Sequence, residues 1–217
     1  MFLILKEMVI SKQRYINFLK LFNISLLFFL LSCTVTVEKL NNNKIIKTLN
    51  SFSQEYREFS TLIVVKIDTQ ELFFLKKGLI QEKFSVSTSV YGTGSEENSF
   101  KTPLGKHVIG EKIGEDLPLG AILKGRNWTG AIANIIKESI DTEFDVVTSR
   151  ILWLNGLEKG LNLGPGVDSK SRYIYIHGTI EEGLIGEPAS NGCIRMYNSD
   201  VITLFDKVDT NTQVWIF

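Results

Sequence analysis

Beyond residue 60 the chain alternates apolar and polar positions with a period of two, the signature of half-buried strands. Residues 62–68 (LIVVKID) and 70–76 (QELFFLK) are apolar runs joined by the short polar Asp68-Thr69-Gln70, which predicts a hairpin with one solvated face. Strands are also predicted over 83–89, 106–111, 146–154 (VVTSRILWL), 173–176 and 213–217, with glycine-rich connections such as 155–166 between them. Residues 198–205 read as a helix: Val201, Ile202, Leu204 and Phe205 form its apolar side, and Asn198 or Ser199 can cap it. A helical turn is predicted over 134–140. Segment 110–147, broken by Gly114, Pro118 and Gly120, is the least patterned and suits a lid or a substrate-facing insert. Many short strands with glycine turns predict a mainly β domain, two packed sheets in a sandwich-like arrangement with one short helix.

The first residues follow a different pattern. Lys6, Lys12, Arg14 and Lys20 precede an apolar stretch, 21–31, interrupted only by Asn23 and Ser25. That is the length of a signal-peptide core and short of the ~20 residues of a spanning helix. It ends in Leu30-Leu31-Ser32-Cys33, which resembles a bacterial lipobox. The resemblance implies that 1–33 is a lipoprotein-type signal peptide; an uncleaved anchor or an ordinary signal peptide is the alternative, and Met8 is a second candidate start. It also implies that Cys33 becomes the acylated first residue of the mature protein. Two acyl systems hold a protein firmly at a membrane. Thr34 rather than Asp follows, which by analogy with lipoprotein sorting leans to the outer membrane, facing the periplasm. Residues 34–60 read as a tether: an Asn41-Asn42-Asn43 cluster, and a short amphipathic helix carried by Leu40, Ile45, Ile46, Leu49 and Phe52. The domain proper is 61–217.

Composition narrows the chemistry. Lys and Arg number 24, Asp and Glu 24, with no basic block, so nothing points to nucleic acid or to electrostatic capture of an acidic partner. Two histidines and two cysteines, one of the latter assigned to lipid, do not make a metal cluster. Gly92 and Gly94 lack the Gly-Lys-Ser/Thr continuation of a phosphate-binding loop. Asp141, Glu143 and Asp145 read as a solvated turn rather than paired catalytic carboxylates. Trp128 reads as core, and His107 as a structural residue outside the site.

Residues 172–196, RYIYIHGTIEEGLIGEPASNGCIRM, concentrate the remaining chemistry. His177 closes a predicted strand. Cys193 sits in Ser190-Asn191-Gly192-Cys193-Ile194-Arg195. The loop between them, with Gly183, Gly186 and Pro188, can fold back and bring imidazole to thiol. Such a pair supports thiolate attack with the imidazole taking the proton; the structural alternative is a buried thiol and a surface imidazole. Gly192 allows a strained turn that exposes the sulfur, and N–H groups at Gly192 and Cys193 can form an oxyanion hole. Arg195 sets a cation near the thiol and near any substrate carboxylate.

His177-Gly178-Thr179, fifteen intervening residues from His177 to Cys193, and Ser190-x-Gly192-Cys193-Ile194-Arg195-Met196 together resemble the signature of the L,D-transpeptidase (YkuD) catalytic domain. The similarity takes in Lys101-Thr102-Pro103-Leu104-Gly105 upstream and runs through Asn198-Ser199-Asp200-Val201 to the final strand. The resemblance implies a cysteine acyl-transferase without a cofactor, acting on peptidoglycan stem peptides in cell-wall biogenesis. Cys193 would be the nucleophile and His177 the base. The acyl group would pass from a Cys193 thioester to an amine of a second stem or of an envelope protein, or to water; in reverse, the same residues would cleave a protein from peptidoglycan as an amidase. Ser190, Asn191, Gly192, Arg195 and Gly178 are the candidates for binding substrate or oxyanion. Many members carry a second histidine where this chain has Asn191. An amide carries no proton, so His177 is the one acid–base residue expected. Gly178 has no side chain to orient the imidazole, which leaves a backbone carbonyl as the expected third member. Asn191 keeps open a non-catalytic peptidoglycan-binding lipoprotein.

Overall fold

The computed structural model describes Lys47 and residues 58–142 and 144–217. The expected signal peptide with Cys33, and the tether up to residue 57 apart from Lys47, lie outside the described residues. The chain divides into two units, Met1–Gln54 and Glu55–Phe217, and the second carries every strand described below.

The apolar runs become strands because β-branched and aromatic side chains pack well on a pleated surface. β1 (Thr61–Lys66) and β2 (Glu71–Lys76) pair antiparallel across a 3-10 turn at Ile67–Thr69, as the short polar link predicts. The chain continues through β3 (Leu79–Ser87), β4 (Gly105–Ile113), β5 (Ala121–Lys124), β6 (Asn127–Ile132), β7 (Val147–Gly156), β8 (Tyr175–Thr179) and β9 (Ile194–Met196). It ends in helix α1 (Asn198–Phe205) and β10 (Gln213–Ile216). The fold is mainly β with a short helix after Cys193, as expected. Hydrogen bonding orders the strands β4-β10-β1-β2-β3-β9-β8-β7-β5-β6, and β4 also pairs with β7. The two expected layers are therefore opposite walls of one rolled sheet, joined through β3–β9 and β4–β7. Between the walls lie Ile63, Leu72, Leu154, Ile176 and Ile194, with Val201 and Leu204 from α1. Each such side chain contributes about 1.5–3 kcal/mol by burial.

Three expectations change. The opening hairpin has no solvated face, because Leu62, Val64, Phe73 and Leu75, which alternate with the core positions, are buried too. Trp215 joins them, and Phe59 packs edge-on against it at 6.1 Å. Residues 134–140 form no helical turn; Ile136 instead makes a parallel bridge to Glu181. The N-cap of α1 is Tyr197, without a side-chain bond. The Asn198 N–H donates to Glu182 Oε1 at 2.8 Å, so a carboxylate closes the positive end of the helix. At the other end Lys112 Nζ donates to the carbonyls of Phe205 at 2.7 Å and Val208 at 2.6 Å.

Candidate active site

β8 and β9 run parallel, with Ile176 opposite Ile194 and His177 opposite Arg195. This register puts His177 mid-strand rather than at a strand end, and brings Cys193 in beside β8. The Cys193 Sγ accepts the Tyr175 N–H at 3.3 Å and donates to the Tyr173 carbonyl at 3.3 Å. The half-buried thiol packs against Leu123, Ile151, Trp153 and Tyr175.

His177 is wholly buried. Its Nδ1 lies 2.7 Å from the Gly178 oxygen. A carbonyl only accepts, so the ring proton sits on Nδ1 and Nε2 keeps its lone pair. Nε2 is buried and without a hydrogen-bond partner, Cys193 included. A backbone carbonyl thus orients the imidazole, and the free nitrogen is the basic one. Gly178 has to be glycine for a packing reason: a Cβ there would meet Asn198 Oδ1 at 2.6 Å and the Thr148 oxygen at 2.8 Å. Asn198 Oδ1 accepts from the Thr148 and Ser149 hydroxyls, and its Nδ2 donates to the Thr179 oxygen and Glu182, tying β7, β8 and α1 together behind the site.

The electrostatics differ from the simple picture of a cation activating a thiol. Burial first, and then the Asp145 carboxylate, push the Cys193 thiol up to about 12. Burial also holds the His177 imidazole below its ordinary value, opposed by Asp145 and the Gly178 carbonyl. The resting pair is a neutral thiol and a neutral imidazole. Arg195 does not reverse this because its charge is already compensated. It is 2% exposed and pairs with Asp145 at 3.0 Å and with Glu181 at 2.6 Å. Its guanidinium therefore holds the loops around Cys193 together and presents no exposed face to a substrate carboxylate.

Asp145 is the residue that sequence reasoning misplaced on a solvated turn. Its carboxylate accepts from Arg195 and from the Asn191 N–H at 3.4 Å, and its charge acts on both His177 and Cys193. Glu143 lies outside the described residues. No spacing in the sequence marks Asp145; tertiary pairing brings its segment alongside, through the Ile136–Glu181 bridge, the Thr142 N–H donated to Glu181 and the Val147–Thr179 pairing of β7 with β8.

The Ser190-to-Gly192 turn is built by internal bonds. Ser190 is buried, and its Oγ donates to the Cys193 oxygen at 2.6 Å and accepts the Gly192 N–H at 3.2 Å. The Gly192 N–H is thus occupied at rest. Gly192 has φ 114°, open to glycine alone, and its carbonyl accepts the Thr102 hydroxyl at 3.0 Å. Asn191 is exposed. His107 stays clear of the site, its ring held between the Gly105 oxygen at 3.0 Å and Ser169 Oγ at 2.9 Å. Trp128 is exposed on the edge strand β6 rather than in the core. Among the described residues no group of three or more acidic, His or Cys side chains is placed to hold a metal ion.

A carbonyl-oriented histidine on β8 and a thiol at the entry to the adjacent parallel β9 define a candidate cysteine acyl-transfer site. The family model of the YkuD L,D-transpeptidase catalytic domain matches residues 60–216. The chain belongs to that family. Over 54 residues it is 44% identical to YqjB of Bacillus subtilis (strain 168), named as a candidate L,D-transpeptidase; the match covers 24% of this chain and 31% of that protein. Over 48 residues it is 50% identical to YkuD of the same organism, similarly named, covering 22% and 29%. The chain thus matches less than a third of either relative's length. The structure of an L,D-transpeptidase from Mycobacterium smegmatis is 17% identical with a TM-score of 0.47, covering 73% of this chain and 58% of that one.

Proposed function

We propose that the protein is a cysteine L,D-transpeptidase of the cell envelope, held to a membrane through lipid on Cys33 and facing the periplasm. Cys193 attacks the carbonyl that links the diamino acid of a tetrapeptide stem to its terminal D-Ala. His177 Nε2 takes the thiol proton as the C–S bond forms, then returns it to the departing D-Ala amine. The Cys193 thioester then passes the acyl group to an amine of another stem or of an envelope protein. Backbone N–H groups of the Ser190-to-Cys193 turn stabilise the oxyanion once Ser190 Oγ releases Gly192; one such donor is typically worth ~3 kcal/mol of barrier.

The observation that carries this reading is the His177 ring: Nδ1 tied to a carbonyl, Nε2 buried, basic and unpartnered. An unpartnered buried nitrogen costs about 1–3 kcal/mol, a cost that acid–base work accounts for. A peptidoglycan-binding protein without turnover is the second reading, favoured by the neutral thiol and by Asn191. Intact-mass measurement of the full chain with purified tetrapeptide muropeptides tests the choice. The expected result is a covalent adduct on Cys193 with free D-Ala, absent in Cys193→Ala. The product ratio then separates transfer to an amine from hydrolysis. Binding without adduct or D-Ala would leave the second reading.

A further inference from the structure

β5 and β6 are joined by Gly125 and Arg126, both at positive φ, 57° and 69°. Such a turn suits the twist of a hairpin, but its second position is one that glycine or asparagine takes easily. An arginine there is strained. Tyr173, beside the nucleophile, is strained in the same way at φ 57°. The two strained residues meet. The Arg126 guanidinium lies 5.4 Å from the Tyr173 ring centroid and 4.6 Å from that of Trp153. Its Nη1 donates to Tyr175 Oη at 3.4 Å. Trp153 and Tyr173 stack at 5.8 Å with 27° between their planes. Tyr173 and Tyr175 also supply the backbone groups that hold the Cys193 sulfur. Each tyrosine therefore links the sulfur, through its backbone, to the guanidinium, through its side chain.

Arg126 is paired differently from Arg195. Among the described residues it makes no ion pair. Glu111 acts on it through space but is paired with Lys170 at 2.9 Å. Arg195, much closer to Cys193 in sequence, is neutralised twice over. Strain persists where function requires it, and a planar fork of N–H donors on an aromatic shelf suits a carboxylate.

We infer that Arg126 recognises a free carboxylate on the acyl-donor peptide, with the Trp153–Tyr173 shelf as the seat for that peptide. This rests on the Cys193 reading above. A tetrapeptide donor offers two sources. One is the α-carboxylate of its terminal D-Ala; the other is the side-chain carboxylate of a diamino acid that has one.

The test measures binding to the full chain carrying Cys193→Ala, with Arg126 intact or replaced. Three peptides are compared: the parent, its C-terminal carboxamide and its side-chain carboxamide. Arg126→Ala is expected to weaken the parent about 10- to 100-fold. One carboxamide then binds both forms equally weakly and names the carboxylate that is read. Arg126→Lys restores part of the affinity, keeping the charge without the fork. Arg126→Gly relieves the turn, so affinity falls while thermal stability holds or rises, which separates recognition from collapse of the hairpin. Equal loss for all three peptides, no loss for any, or no binding of the parent overturns the inference. Binding is read without the nucleophile, so the two readings fail separately. A wild-type chain that shows this discrimination yet releases no D-Ala overturns acyl transfer and keeps the carboxylate site.

Discussion

His177 carries its proton on the nitrogen facing Gly178, and the pH dependence of the reaction follows from that. In the proposed reaction His177 has to be neutral to accept the thiol proton. Burial holds its pKa below the ordinary 6.5, so D-Ala release should be full above that value and fall only at more acidic pH. A half-maximal kcat/KM at or above pH 6.5 would show that a different group sets the acid limb. Gly178 makes a second test at this scale. A Cβ 2.6 Å from Asn198 Oδ1 has to displace a side chain that already bonds β7, β8 and α1. Gly178→Ala should cost about 1–3 kcal/mol in urea denaturation. A neutral result would mean that Asn198 is free to move.

Among the elements, the loops around Cys193 depend on one ion triad. Arg195→Ala leaves the Glu181 carboxylate 1% exposed and unpaired, which should cost about 3–5 kcal/mol. Asp145→Asn is milder and more informative. Asp145 is the second cause that raises the Cys193 thiol, after burial, so removing its charge should lower that pKa. The midpoint of iodoacetamide alkylation should then move to lower pH; an unmoved midpoint would sever Asp145 from the thiol. The sequence made α1 legible by helical spacing and marked Cys193 and His177 as candidates by a motif, because each of these signals is local. The triad was not legible. Asp145, Glu181 and Arg195 lie on three segments that meet only through tertiary pairing, and no local pattern records that. β6 escaped for a related reason: every residue of it is exposed, so burial imposes no alternation, and β5 is only four residues long. β9 is three residues long, too short for any period.

At the scale of the whole molecule, the rolled sheet buries a titratable group remote from the chemistry. His107 on β4 is 0% exposed, and burial lowers its pKa to about 4, opposed by the Gly105 carbonyl. The unfolded chain titrates this residue near 6.5. Between those two values the unfolded state binds more protons, so stability falls as pH drops from 6.5 towards 4. Above 6.5 both states are neutral and His107 contributes no slope. The loss should reach about 2 kcal/mol by pH 5 and about 3 kcal/mol near pH 4, a large part of an ordinary domain's stability. His177, also lowered by burial, adds in the same direction. Denaturation at pH 7 and pH 5 should therefore show a steep loss in the wild type. His107→Gln keeps a group able to reach Ser169 Oγ but does not titrate, so it should flatten the pH dependence even if it lowers stability at pH 7. An unchanged slope in that variant would assign the linkage to His177 alone, and acid sensitivity would then belong to the active site rather than to the fold around it.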